Sequence, residues 1–319
     1  MKEPLIDLRA WRQFVAVAEE LHFGRAALRL HMTQPPVTQA IALLEKTLGV
    51  QLFDRTQRRV ALTPAGEALL PEVRELLVRA QALPARARAA AAGEEGRVRL
   101  AFVSTIGFEQ LPSWVRAFRA QSPKVVLELV EATGDVQLRE LERGAIDAGL
   151  MLHSPGFAPP GLRHLRVAVE PMVLALPAHH PLADVPAGAG AAAWDWDAVL
   201  DEPLVIFPRR IAPSLHDAVF GLYHAAGKLP QVAQEAIQMQ TIVNLVSAGL
   251  GLAWVPESVM QFRRPGVVYR MPEGRAGRAA RGRKGPAVPV CETSLVWRDA
   301  DQHPALDRFV AFVSEGMAG

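Results

Sequence analysis

The chain has 319 residues, half of them apolar, with a net charge of +2 and a sequence pI of 8.9. That is enough chain for two or three cored domains and too much apolar content for disorder, and its basicity must be local rather than global. One cysteine, Cys291, excludes a disulfide scaffold and an intramolecular redox pair. It sits in the apolar run VPVCETSLVW and reads as a small packed hydrophobe. No stretch of about eighteen consecutive residues is apolar, so no membrane span is expected. The charged N-terminal run MKEPLIDLRAWRQFVAVAEEL does not make a signal peptide, and a cytoplasmic protein is the expectation.

Leu5 to Leu21 is predicted to be an amphipathic helix, with Leu8, Trp11, Phe14, Val15 and Ala18 on one side. Ala26, Ala27 and Leu30 then give a second helix a small-residue face for close packing. Gly24 and the short His31-Met32-Thr33 link permit a sharp change of direction. Thr33 is expected to cap the next helix, its hydroxyl accepting a backbone N–H, with Pro35 and Pro36 in the first turn. Val37, Ile41, Leu44 and Leu48 form one stripe facing the core, and Gly49 is a C-cap candidate. The other face starts with Gln34, Thr38 and Gln39, short polar side chains able to read base edges or grip phosphate. Val50–Phe53 and Val60–Leu62 read as two strands joined by a loop carrying Arg55, Arg58 and Arg59. Two helices, a tight turn and a basic β-ribbon make a winged helix-turn-helix, a device that places one helix in the DNA major groove. The local excess of Arg25, Arg29, Lys46, Arg55, Arg58 and Arg59 over Glu45 and Asp54 suits a phosphate backbone.

This run resembles the LysR-type transcriptional regulators. The matching residues are Phe23-Gly24-Arg25-Ala26-Ala27, Leu30-His31, Gln34-Pro35-Pro36, Leu44-Glu45, Leu48-Gly49, Leu52-Phe53-Asp54-Arg55-Thr56 and Leu62-Thr63-Pro64-Ala65-Gly66. The resemblance continues through most of the chain and is strongest over this segment. It implies that Gln34, Pro35 and Pro36 sit at the DNA surface and that Arg55 on the wing grips phosphate. Many members of the aromatic-catabolism branch carry Arg where this chain has Gln39, so base preference there does not carry over.

Thr63-Pro64 starts a further helix running to about Ala92, with Leu69, Val73, Leu76, Leu77, Ala80 and Leu83 in a stripe. A long lone helix with such a stripe needs a partner, and a second copy of the chain is the simplest. The resemblance implies a dimer helix within a dimer of dimers, with RNA polymerase as a further candidate partner. Pro71 and Pro84 are expected to kink the helix or disrupt its hydrogen-bond ladder.

After a hinge at Gly93-Glu94-Glu95-Gly96, strands and helices alternate. The first series is Val98–Val103, Phe108–Arg119, Val125–Val130, Val136–Arg143 and Ile146–Leu152. The second includes Pro171–Leu176, Pro203–Phe207, Pro213–Ala226, Val232–Ala236, Gln240–Ala248 and Leu250–Val255. A return through Val267–Met271 and Val288–Trp297 leads to a last helix, Pro304–Val313. Alternation of this kind means α/β layers with parallel strands. Two segments read as loops, Asp184–Ala193 and the basic run Gly274–Gly285. The expected fold is an all-α winged helix-turn-helix at 1–65, a linker helix at 66–92 and an α/β effector body at 93–319. That body has two Rossmann-like lobes, as in periplasmic binding proteins, with lobe I at 97–166 and 270–319 and lobe II at 167–269.

In such sheets ligands lie beyond the carboxyl ends of strands, at helix N-termini. Ser104-Thr105 follows the first strand, Thr133-Gly134-Asp135 the second, and in lobe II Arg209-Arg210 precedes Ser214-Leu215 at a helix start. Hydroxyls and free backbone N–H groups there suit a carboxylate. The segment resembles the effector domain of the aromatic-catabolism branch, which implies contacts from Ser104, Thr105, Thr133, Ser214 and Leu215 to an acidic effector. Arg209 and Arg210 depart from that branch's small residues and would favour a more strongly anionic ligand. No catalytic residue, metal ligand or cofactor is expected: His179-His180 has no carboxylate at ligand spacing, and there is no G-x-S-x-G, P-loop or Cys/His cluster. Two functions stay open: a DNA-binding regulator responsive to a small organic acid, or a solute-binding protein or α/β enzyme with an incidental N-terminal helical domain.

Overall fold

The computed structural model describes residues 5–55, 59–108, 110–184, 195–271, 286–299 and 303–317. Arg58, the basic run 274–285 and nearly all of the 184–193 loop lie outside the described residues. The chain divides into two compact units, Met1–Arg88 and Ala89–Gly319. Among the described residues no helix is long and apolar enough to cross a membrane.

In the first unit α1 (Leu8–Glu20) is capped by the Asp7 carboxylate, and α2 (Phe23–Arg29) by His22 Nδ1, which accepts the Gly24 and Arg25 N–H groups. A turn with His31 at a left-handed φ of 54° leads to α3 (Gln34–Leu48), which ends at Gly49 with φ 71°, as a glycine C-cap should. Phe14, Val17, Ala27, Val37, Ile41 and Leu44 fill the core. β1 (Phe53–Arg55) pairs antiparallel with β2 (Val60–Leu62). The Thr63 hydroxyl accepts the Gly66 N–H and so caps α4 (Pro64–Ala91). That helix continues through Pro71 and Pro84; each deletes one N–H without ending it. The apolar stripe divides in two. Val73 is buried in the core of its own unit with Leu69 and Leu77 beside it, whereas Leu76 and Leu83 stand 43% and 60% exposed. Only the second group needs a partner from elsewhere, which corrects the expectation that the whole stripe faces a second copy.

The second unit is built on a seven-stranded mixed sheet, with a separate two-stranded parallel sheet in lobe II. β3 (Gly96–Phe102) lies parallel between β4 (Val125–Glu131) and β5 (Ala148–His153). The helices α5 (Gln110–Gln121) and α6 (Gly134–Glu142) make the crossovers. The expected strand at 171–176 is the C-terminal part of a much longer one, β6 (Arg163–Pro177), which carries the chain from lobe I into lobe II. There α7 (Trp196–Asp201), β7 (Leu204–Ile206), α8 (Pro213–Ala225), β8 (Val232–Glu235), α9 (Met239–Ser247), β9 (Ala253–Pro256) and β10 (Val267–Arg270) follow. β11 (Val290–Trp297) returns between β5 and β6, and α10 (Pro304–Gly316) closes lobe I. The strand order β10-β6-β11-β5-β3-β4, with β9 also on β6, is only partly parallel. The strands without a helical crossover, β6, β9, β10 and β11, pair antiparallel, a pattern that element alternation alone did not disclose. Each lobe has its own core, one around Leu100, Phe118, Leu150 and Phe309, the other around Leu174, Val205, Tyr223 and Trp254. Cys291 is fully buried in the latter, and burial pushes its thiol well above the ordinary value.

Lobe I is tied by one carboxylate. Asp147 accepts the Arg99 backbone N–H at 2.7 Å and its guanidinium at 3.2 and 2.6 Å, with His303 Nε2 at 3.6 Å. Burial opposes the charge, but the Arg99 side chain and backbone hydrogen bonds, with Arg99 and His303 nearby, hold the carboxyl below its ordinary 3.8. A depressed carboxylate stabilises the fold above its unfolded value and loses that contribution as pH falls through the folded one. Acid unfolding below about pH 3.8 should therefore flatten in Asp147→Asn, and that variant should lose about 2–3 kcal/mol near neutrality by urea denaturation, since it leaves Arg99 unpaired.

Candidate functional site

The first unit presents α3 outward. Thr33, Gln34, Pro35 and Gln39 are exposed, and Pro36 and Thr38 half-buried. Contrary to expectation, the Thr33 hydroxyl makes no capping hydrogen bond. The reason is local: an N-cap side chain accepts from the second or third helical N–H, and those positions are Pro35 and Pro36, which have none. The Thr33 hydroxyl is left facing solvent, where it can donate to a phosphate. Thr38 donates to its own helix, to Gln34 O at 3.1 Å, while the Gln34 and Gln39 amides stay outward.

Glu45, counted in the sequence as a local acid and as part of the Leu44-Glu45 match, is buried on the same helix and organises the wing. Its carboxylate accepts Leu52 N–H at 2.9 Å, Phe53 N–H at 3.1 Å and Arg55 Nη2 at 2.7 Å. The Arg55 guanidinium also lies 4.9 Å from the Phe23 ring centre. Arg55 is therefore an anchor of β1 to α3, and its remaining N–H donors face outward with the side chain one-third exposed. Arg59 lies at the exposed start of β2, and Arg58 falls outside the described residues.

In the second unit the carboxyl ends of β3, β4, β5, β7 and β8 converge on one cleft between the lobes. Its walls include Ser104, Thr105, Glu131, Thr133 and Leu152 from lobe I, and Phe207, Ile211, Leu215, Gln238 and Met239 from lobe II. Three helices start there, α6 at Thr133, α8 at Ala212 and α9 at Gln238, and none has a side-chain cap from its N-cap residue, although in α6 the Asp135 carboxylate accepts the Val136 N–H. By contrast α1, α2, α4, α7 and α10 are capped by Asp7, His22, Thr63, Asp195 and His303. Uncapped first-turn N–H groups, with the helix dipole behind them, form an anion site. Thr105 adds a second indication. It is 3% exposed, and its hydroxyl has no hydrogen-bond partner. Thr105 also borders a wider cavity whose charged lining is Glu170, Glu257 and Arg263, with Glu170 held by the Ser258 N–H and hydroxyl.

The lobes stand close together. Ser154 N–H donates to Ser214 Oγ at 3.0 Å, and Ser154 Oγ to Ser214 O at 2.9 Å. A side chain at Gly134 would come within 2.5 Å of Ile211 O, so this approach requires glycine. The cleft between the lobes encloses about 510 Å³ out to its mouth.

Three expected ligand contacts are placed elsewhere. Ser214 is engaged by Ser154 and does not line the cleft. Arg209 is drawn into a bidentate pair with Asp217 at 2.7 Å on both arms, one helical turn into α8. Arg210 approaches Asp135 at 3.9 Å. Asp135 also receives the Thr133 hydroxyl; burial works against its charge, but that bond, the Val136 N–H, Arg139 and Arg210 hold it below its ordinary 3.8. Ser104, Thr105, Thr133 and Leu215 do line the cleft. Sequence reasoning missed Glu131, Phe207, Ile211 and Gln238. The signal was available for Glu131 and Gln238, one ending a strand and the other preceding a helix, but neither belonged to a hydroxyl motif.

Two family models cover the two units: residues 8–67 match the bacterial regulatory helix-turn-helix proteins of the lysR family, and residues 91–318 the LysR substrate binding domain. The chain is 42% identical over 315 residues to the HTH-type transcriptional regulator IlvR of Caulobacter vibrioides, covering 97% of this chain and 98% of that one. It is 38% identical over 270 residues to the regulator AlsR of Bacillus subtilis, covering 83% and 85%. The crystal structure of full-length CbnR complexed with its target DNA is similar with a TM-score of 0.75 at 31% identity, covering 98% of this chain and all of that one. A helix-turn-helix head whose second helix is stripped of internal caps, joined by α4 to a two-lobed body with a ligand cleft, thus belongs to the LysR-type DNA-binding transcriptional regulators.

Proposed function

We propose that the cleft binds a small organic acid, and that the acid controls transcription by changing the setting of the lobes. The carrying observation is the convergence of three uncapped helix starts and the unpartnered Thr105 hydroxyl on one apolar cleft. A carboxylate accepts several such N–H groups at once, and the apolar walls take the remainder of the molecule. Because the ligand would touch both lobes, binding favours one relative setting of them; a ligand shifts an equilibrium by its differential affinity for the two states. The head reads DNA with Gln34, Thr38 and Gln39 toward base edges, and with Thr33, Arg55, Arg58 and Arg59 toward phosphates, while Pro35 and Pro36 shape the approach. Leu76 and Leu83 on α4 meet a second copy, giving the dimer that reads two half-sites; the CbnR complex supports the DNA-bound reading.

Gel-shift titration against the DNA upstream of its own gene separates the head's contacts. Gln34→Ala should cost about 1–3 kcal/mol on the specific site and little on random DNA, whereas Arg55→Ala should weaken both and reduce the salt slope by about one. Equal losses for Gln34→Ala on both DNAs remove it from base reading. Thr105→Val keeps the shape and removes an unsatisfied buried hydroxyl, so its melting temperature should hold or rise while its response to an inducing acid falls about tenfold, the loss of about one hydrogen bond. A normal response would take Thr105 out of the site. Leu83→Glu should halve the assembly mass in light scattering, because a charge cannot be buried against the partner copy; an unchanged mass would place the contact elsewhere.

A further inference from the structure

We propose that the cleft ligand is an apolar α-amino acid, its ammonium received by Glu131. The inference rests on the cleft being a carboxylate site, as argued above, and adds a second pole to it. Glu131 closes β4 and is the single ionisable side chain lining the cleft. No ion pair or hydrogen bond engages it among the described residues; Arg139 and Arg210, the cations at helix α6, pair with Asp135 instead. A simple aliphatic or aromatic acid would bring its charge to these helix starts against this unpaired carboxylate, and like charges that close repel. A ligand with an ammonium beside its carboxylate satisfies both poles. The carboxylate takes the Gly134 N–H at the start of α6, the first-turn N–H groups of α9 and the otherwise unpartnered Thr105 hydroxyl; the ammonium takes Glu131. The rest of the cleft is apolar, with Leu152, Phe207, Ile211, Leu215 and Met239, and so suits a hydrocarbon side chain rather than a second charge.

Calorimetric titration of the full chain tests this with matched probes: L-leucine and L-phenylalanine, their deaminated counterparts 4-methylpentanoate and 3-phenylpropanoate, and L-leucinamide, which lacks the carboxylate. At least one amino acid should bind ten-fold or more tightly than its deaminated counterpart. Glu131→Gln, an isosteric change at an exposed position, should erase that difference while leaving the deaminated acid's affinity unchanged or improved. Deaminated acids binding as tightly as the amino acids, or amino-acid affinity indifferent to Glu131→Gln, would overturn the proposal and leave the organic-acid cleft standing. L-Leucinamide binding as well as L-leucine would instead remove the carboxylate subsite and keep Glu131 as an ammonium receptor. Absence of binding by every probe would overturn both.

Discussion

A helix cannot satisfy its own first N–H groups, and this chain treats that constraint in two ways. Where a helix serves only to build the fold, a side chain closes it: Asp7, His22, Thr63, Asp195 and His303 each accept from the turn they precede. At α6, α8 and α9 the N-cap residues are Thr133, Ala212 and Gln238, none of which does so, and all three helices begin at the same cleft. Unsatisfied donors cost free energy when water is excluded, so a cleft built this way is most stable with an acceptor inside it. Those helix starts line a cleft in which an anionic group would find N–H donors.

The recognition helix solves the same problem differently. Prolines at its second and third positions delete two of the donors that a cap would serve, and this frees the Thr33 hydroxyl for an outside partner. Glu45 then fixes the wing to the helix from inside, through two backbone N–H groups and Arg55, so that the wing's basic side chains and the helix's polar face are held in one register. The start of α3 thus lacks the donors a cap would serve, whereas the helix starts at the cleft keep theirs.

Much of the fold was legible in the sequence because periodicity and punctuation coincide. The Val37-Ile41-Leu44 stripe, the Gly49 stop and the Thr63-Pro64 start each have a local cause that needs no tertiary context. What depended on distant partners was not legible. The length of β6 follows from pairing with β9, β10 and β11, far along the chain. Val73 was indistinguishable from Leu76 by spacing, yet one is buried in its own unit and the other exposed. At the cleft, hydroxyls at strand ends marked Ser104, Thr105 and Thr133 correctly as wall residues, but the arginines at 209 and 210 were read without the acids that draw them aside, Asp217 and Asp135. Charge in a sequence shows what is available; only the fold shows what is already paired.

The central claim, that uncapped helix starts receive the effector's carboxylate, is tested most directly by amide hydrogen exchange on the full chain with and without a bound organic acid. The first-turn amides at 134–135, 214–215 and 239–241 should slow together, at least tenfold, while the capped first turns of α1, α7 and α10 exchange as before. Protection that appears only in the apolar walls, or equally at capped and uncapped helices, would contradict it.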